Sequence, residues 1–164
     1  MADDLYHDDY YAWTLSQAEA LRARKAGENA LDYDNLAEEL EDLGRSEARA
    51  CESYVEKILE HLLKIEFGGD PQNVPHWTVE VRAFRRGLRR NLSPSLKPRI
   101  VDQLPRLYAD VREELIDRYE LEGRAVALPE TCPYGWSQIV ADEAPALGSV
   151  NDLAPTSTSP GSAG

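Results

Sequence analysis

One long amphipathic stretch, residues 34–67, constrains the fold of this 164-residue chain more than any other feature. Apolar residues recur in it at steps of three and four, which places them on one face of a helix. This first stripe consists of Leu36, Leu40, Leu43, Ala50, Tyr54, Ile58 and Ile65. A second stripe opens in the later half, with Ala48, Cys51, Val55, Leu59, Leu62 and Leu63. Because two stripes indicate burial on two sides, we expect this helix to lie between others.

Gly44 lies in the first half of this stretch, and a glycine inside a helix costs about 1 kcal/mol relative to alanine. Ser46 offers an N-cap for a new helix directly after it. The apolar stripe nevertheless keeps its phase across Gly44, so the pattern predicts one continuous helix, at most bent there. The sequence GGDPQNVP at 68–75 marks its end.

A first helix is expected before this stretch, over residues 5–26, and Gly27 is expected to end it. Its expected apolar face comprises Tyr6, Tyr10, Trp13, Ala20 and Leu21. Two helices are expected after the stretch, over residues 75–92 and 96–121. Ser93 or Ser95 is the expected N-cap of the second of these, and Pro105 is expected to kink it one turn upstream.

A short helix is expected within residues 128–142, behind a turn that prolines make rigid. The sequence therefore predicts an all-α fold, an antiparallel bundle of four main helices plus a short C-terminal helix, in one domain over residues 1–142. Residues 143–164 are rich in Ala, Pro, Ser, Thr and Gly and are expected to be a disordered tail, because they offer little apolar surface to bury.

The composition narrows the classes of partner. The net charge of −12 opposes wholesale binding of nucleic acid or of an anionic membrane surface. No run approaches the roughly 18 apolar residues that a membrane-spanning helix needs, and the acidic first residues do not look like a signal peptide. We therefore expect no membrane association and a cytoplasmic protein. Cys51 falls on an apolar helix face and is expected to be a buried free thiol, whereas Cys132 lies in a proline-rich turn.

Several short motifs, taken together, carry a family resemblance. Residues 5–13 begin with Leu-Tyr and end with Tyr-Tyr-Ala-Trp, residues 35–47 read NLAEELEDLGRSE and are followed by HLLK at 61–64, and SPSL at 93–96 and PETCPY at 129–134 complete the set. The combination resembles the small bacterial family known only as domain of unknown function twenty-nine. The resemblance implies an all-helical bundle from a bacterium and brings no activity or catalytic residue with it. Glu66 stands where the family pattern has an aromatic residue.

The histidines supply one metal-binding hypothesis. If the third predicted helix packs antiparallel to the second, His61 and His76 approach each other, and Glu80 or Glu39 completes a set of two histidines and one carboxylate. Such a set suits zinc, iron or manganese. The other interpretation is a histidine on the flank of the bundle that bonds to a neighbouring side chain. We predict no cofactor, and a divalent metal at these residues is the alternative.

Charge is distributed unevenly along the chain. Residues 32–60 carry ten acidic and three basic residues, a local charge of −7, and residues 82–99 carry seven basic residues and no acidic one. The basic patch consists of Arg82, Arg85, Arg86, Arg89 and Arg90. One interpretation is a surface for nucleic acid or another anion. The other, which we prefer, is pairing with the acidic helix, either within the chain or across a dimer.

These features favour a non-enzymatic helical interaction module that self-associates as a homo-oligomer or binds a protein partner that the sequence does not identify. The alternative is a metal-binding bundle enzyme centred on His61 and His76. A weaker alternative is binding of nucleic acid or another anion by the basic helix at 82–99. The sequence contains neither a nucleophile with an adjacent base nor a glycine-rich phosphate loop.

Overall fold

A computed structural model describes residues 2–24 and 32–141 of the chain. Within these ranges there are six helices and no strand, which confirms the all-α prediction. The helices are α1 (Ala2–Asp8), α2 (Tyr10–Ala23), α3 (Tyr33–Phe67), α4 (Val74–Asn91), α5 (Leu96–Leu121) and α6 (Trp136–Val140). No helix in these ranges is long and apolar enough to cross a membrane. The predicted tail and the predicted stop at Gly27 lie outside the described residues.

The long helix α3 lies between the others, as its two apolar stripes predicted. The other main helices all pack against it. α2 runs antiparallel along its N-terminal half, where Arg22 pairs with Glu41. α4 runs antiparallel along its C-terminal half, and α5 runs in the same direction as α3 on another side. The alternating directions of α2 to α5 are those of an up-and-down bundle with short connections.

The hydrophobic core is built around the C-terminal half of α3. Ile58 from the first stripe and Leu59 from the second are both fully buried, so two-sided burial is confirmed for this half. Residues from α4, α5, α6 and the segment before α6 complete the core, among them Val81, Leu88, Leu96, Ile100, Leu107, Tyr108, Leu115, Tyr134 and Ile139. Cys51 is buried in the same core, as predicted.

The N-terminal half of α3 departs from the prediction. Leu36, Leu43 and Ala50 belong to the first stripe, but all three are exposed. α2 packs instead against a neighbouring face of α3, on which Ala37 and Gly44 are buried. A hydrophobic pattern identifies a helix face but does not ensure that another element is long enough to cover it.

Gly44 does not interrupt α3, which is continuous from Tyr33 to Phe67 as predicted. A side chain at position 44 would place its Cβ 2.6 Å from Thr14 Oγ1 and 3.4 Å from the ring of Tyr11. The glycine therefore allows α2 to approach α3 closely. The buried residues of α2 are Thr14 and Ala18, which are correspondingly small. The aromatic residues that the sequence predicted as the buried face of this helix are not among them.

Asp9 divides the predicted first helix into α1 and α2, so the prediction of one helix over residues 5–26 is wrong. Its side chain accepts a hydrogen bond from the N–H of Ala12 at 3.0 Å and caps α2. Its carboxylate also accepts hydrogen bonds from the N–H and the hydroxyl of Ser95, both at 2.7 Å. Ser95 is the N-cap residue of α5, one of the two candidates that the sequence predicted, but its hydroxyl bonds to Asp9 and makes no capping hydrogen bond. Pro105 lies inside α5.

Candidate functional site

The end of α3 and the start of α4 bring three of the four predicted metal ligands together. His61 Nε2 lies 2.8 Å from Glu80 Oε2. The same carboxylate oxygen lies 3.4 Å from Nε2 of His76, one turn earlier on α4. His61 is buried and His76 is exposed, so Glu80 connects a buried imidazole with one that faces solvent.

The contacts of His61 determine where its protons are. Nδ1 lies 2.7 Å from the backbone oxygen of Lys57, and because a carbonyl oxygen only accepts, Nδ1 must donate. The contact between Nε2 and Glu80 then requires one more proton, which either the imidazole or the carboxyl group supplies. The Phe84 ring packs against the imidazole in an edge-to-face arrangement, with 5.3 Å between the ring centroids. The pair therefore joins α3 and α4 by a hydrogen bond in a partly buried position.

Glu39 takes no part in this cluster. It lies on the exposed N-terminal half of α3, about 33 Å along the helix axis from His61 at about 1.5 Å per residue. Its predicted place in a metal site is therefore wrong. In the ranges that the structure describes, no group of three or more His, Cys, Asp and Glu side chains is arranged to hold a metal ion. The geometry is that of a hydrogen-bonded pair with a second histidine nearby.

Arg85 differs from the rest of the basic patch because it is buried, with 2% of its surface exposed. Its Nε donates to the backbone oxygen of Ile139 at 2.9 Å, and its terminal nitrogen donates to that of Gln138. Arg89 donates to the backbone oxygen of Val140 at 3.3 Å. These two arginines bind the free carbonyl groups at the end of α6 and hold this short helix against α4.

The remaining arginines of the patch, Arg82, Arg86 and Arg90, are exposed on the outer side of α4. Arg82 and Arg86 line an open cavity of about 160 Å³ together with Arg85 and Arg89. The acidic side chains of α3 pair with other bases: Glu41 with Arg22, Asp42 with Arg45, Glu52 with Arg106, and Glu60 with Lys64 and Arg118. Within the described ranges, the predicted pairing of the basic patch with the acidic helix of the same chain is therefore not found.

A second cavity, of about 230 Å³, lies between α3 and α5. Burial raises the pKa of Glu56, which lines it, and the nearby charges of Glu52 and Asp110 add to the effect. Burial also acts to raise the pKa of Glu60, but hydrogen bonds from Lys64 and Arg118 outweigh it, and the pKa is lowered. The ion pair between Glu60 and Arg118, two residues that line this cavity, joins α3 to α5.

Neither cysteine has the surroundings of a nucleophile. Burial, with the charges of Glu47 and Glu52, raises the pKa of Cys51 to about 11. Burial also raises the pKa of Cys132, although hydrogen bonding with the backbone of Tyr134 acts in the opposite direction. A reactive cysteine needs a lowered pKa, so both thiols are better suited to packing.

Sequence reasoning missed one surface because it expected the whole first stripe to be buried. Residues 36, 43, 50, 54 and 61 share one face of α3, since their spacings of seven and four return to the same side. α4 covers this face at Tyr54, which contacts Gly87, and at His61. Towards the N-terminus the face is open. We call it the uncovered face, and it consists of Leu36, Glu39, Leu43, Glu47 and Ala50.

Comparison with known proteins gives a family and a fold. The family model described as "Domain of unknown function DUF29" matches residues 5–144. A solved structure, that of an alpha-helical protein of unknown function from Rhodospirillum rubrum, is 23% identical in sequence and has a TM-score of 0.68, with 84% of this chain and 90% of that chain covered. This likeness shows a shared fold. No curated protein matches.

Proposed function

The chain belongs to the DUF29 family, and we propose that it is a non-enzymatic helical interaction module that pairs with a second copy of itself through the uncovered face. One observation carries the proposal. Leu36 and Leu43 are 42% and 47% exposed, on the same helix face that α4 covers further along. A helix face that carries apolar residues along its whole length, and that is covered over only half of it, is suited to a second helix at the open half.

The energetics of the N-terminal half support the same conclusion. The contact between α2 and α3 buries the small residues Ala18, Ala37 and Gly44, together with Thr14. Helices in water depend on packing of their apolar face for most of their stability, and small side chains supply little apolar area. Full burial of a leucine contributes about 1.5–3 kcal/mol. Covering Leu36 and Leu43 would therefore stabilise a part of the chain in which the buried side chains are small.

The proposal places the protein in the cytoplasm and assigns it no reaction. Cys51 and Cys132 are both free thiols, which fits a reducing compartment. The polar cluster around His61 and Glu80 joins two helices through a hydrogen bond. These features support a structural and associative role for the described residues, in agreement with the interpretation that the sequence favoured.

Light scattering coupled to gel filtration tests which face is used. The double variant Leu36→Ser/Leu43→Ser removes the apolar side chains of the uncovered face, and we expect it to be monomeric where the wild-type protein is dimeric. The matched control is Val101→Ser/Leu121→Ser, which changes two exposed apolar residues of α5 and should remain dimeric. Equal masses for wild type and both variants would contradict the proposal, provided that circular dichroism shows equal helix content.

A further inference from the structure

The acidic and the basic surfaces of this chain both reach solvent and do not face each other. Within the described ranges, Glu39 and Glu47 lie on the uncovered face of α3 and make no ion pair. Arg82, Arg86 and Arg90 on the outer side of α4 have no carboxylate within 4 Å in the same part of the chain. Two accessible surfaces of opposite charge on one molecule attract one another when two copies meet.

We propose that the uncovered face of α3 binds the outer face of α4 of a second copy. The outer face of α4 consists of Val79, Arg82, Ala83, Arg86 and Arg90, all of them exposed. The inference rests on the proposed self-association and goes further, because it identifies the surface on the second copy that the uncovered face meets.

The two faces match in composition as well as in charge. The uncovered face alternates apolar and acidic residues along one ridge, with Glu39 between Leu36 and Leu43. The outer face of α4 combines two small or medium apolar residues, Val79 and Ala83, with arginines. Guanidinium groups bind carboxylates with two parallel hydrogen bonds. Apolar contact would supply most of the affinity, and the charge pairs would set the register and exclude other pairings.

The shape of the molecule allows both contacts to form at once. α4 is antiparallel to α3, and Gly87 lies against Tyr54, so the end of α4 at Asn91 comes level with about Ala50 at 1.5 Å per residue. Beyond that point no part of α4 covers this side of α3, so the uncovered face forms a recess beside the end of α4. A second copy turned over by a two-fold rotation brings its α4 into the recess of the first and receives the first copy's α4 in its own. The arrangement is closed, as in most homodimers.

A charge exchange between two variants tests this pairing. One variant is Glu39→Arg/Glu47→Arg and the other is Arg82→Glu/Arg86→Glu. Alone, each variant brings like charges together at both contacts, and we expect its dimer dissociation constant to rise by about a hundredfold or more. In an equimolar mixture both contacts again join opposite charges, so we expect a heterodimer with an affinity close to that of the wild type.

The control variant Glu113→Arg/Glu120→Arg changes the net charge by the same amount at exposed positions of α5 and should leave the wild-type dimer intact. The proposal is wrong if the two exchange variants remain dimeric alone, or if they dissociate and their mixture stays monomeric. If the mixture stays monomeric but Leu36→Ser/Leu43→Ser dissociates the wild-type dimer, the proposed function stands. Only the outer face of α4 is then rejected as the surface that the uncovered face meets. A wild-type protein that is monomeric throughout would reject both. Circular dichroism of each variant establishes that it is folded.

Discussion

Gly87 of α4 lies against the ring of Tyr54 of α3 so closely that any side chain at position 87 would overlap the ring. The glycine allows the two helices to approach, and the contact lies near the end of α4. From Tyr54 towards the C-terminus, α3 is covered by α4. From Ala50 towards the N-terminus, the same side of α3 is exposed. The surface that we propose for self-association begins at this boundary.

Leu59 tests the two-sided burial of α3. It is fully buried on the second stripe, and Leu59→Ala should lower the free energy of unfolding by about 2–5 kcal/mol, the usual range for truncation of a buried leucine. Leu121→Ala is the matched control because Leu121 is 90% exposed, and it should change stability by less than about 0.5 kcal/mol. Urea unfolding followed by circular dichroism measures both. Equal effects at the two positions would contradict burial of α3 on two sides.

Asp9 should make stability depend on pH in the acidic range. Burial acts to raise the pKa of its carboxyl group, but the hydrogen bonds from Ser95 and from the N–H of Ala12 outweigh burial, and the pKa is lowered. A carboxyl group with a lowered folded-state pKa adds stability above its unfolded pKa of about 3.9. This contribution is lost as the pH falls through the lower, folded-state value.

Asp9→Ala should therefore lower the free energy of unfolding by about 1–3 kcal/mol at neutral pH, because it removes a helix cap and two charge-assisted hydrogen bonds. The difference from the wild type should shrink below about pH 4. The neighbouring Asp8 is exposed, and Asp8→Ala should have little effect at either pH. The prediction is contradicted if the free energies of unfolding of Asp9→Ala and of the wild type differ equally at neutral pH and below about pH 4. The charge of Asp9 would then contribute nothing to stability.

The arginines of α4 should not bind nucleic acid. Non-specific binding of this kind has dissociation constants of about 10⁻⁴–10⁻⁶ M at physiological salt, and the net charge of −12 opposes even that. Fluorescence anisotropy with single- and double-stranded DNA and RNA, at about 150 mM salt where screening acts over about 8 Å, should show no binding. Micromolar, salt-sensitive binding that Arg82→Glu/Arg86→Glu abolishes, with an unchanged melting temperature, would favour the nucleic-acid alternative.

The cluster around Glu80 should not bind a divalent metal. Protein purified without a tag should contain less than stoichiometric divalent metal by elemental analysis, because the hydrogen bond between His61 and Glu80 occupies the groups that a metal would need. After incubation with zinc and removal of the excess, the wild type and Glu80→Gln should retain equal amounts. One zinc, iron or manganese ion per chain, lost in Glu80→Gln, would instead establish the two-histidine, one-carboxylate site.

The main helices were predictable because their signals are local. The expected spans 34–67, 75–92 and 96–121 agree within one residue at each end with α3, α4 and α5. Apolar periodicity defines the interior of each helix, and Gly, Pro and Ser mark the ends. The approach of His61 to Glu80 was predictable for the same reason, since a short connection forces α3 and α4 to run antiparallel.

The features that the sequence did not reveal depend on distant residues. The capping of α2 by Asp9 has a local signature, since aspartate is a favoured N-cap. The bonds of Asp9 to Ser95 and of Arg85 to the carbonyl groups of α6 join distant segments, so they have none. The exposure of Leu36 and Leu43 depends on where α4 ends. Periodicity assigned them correctly to a face, but whether a face is covered is decided by the lengths and positions of other elements.

Sedimentation equilibrium of the wild-type protein over a wide range of concentration tests the central claim most directly. Self-association through the uncovered face predicts a mass that rises with concentration towards about 37 kDa, twice the 18.4 kDa of one chain. The transition should move to higher concentration as salt is added, because the charge pairs of the contact are screened. A mass of 18.4 kDa at every concentration and every salt would contradict self-association.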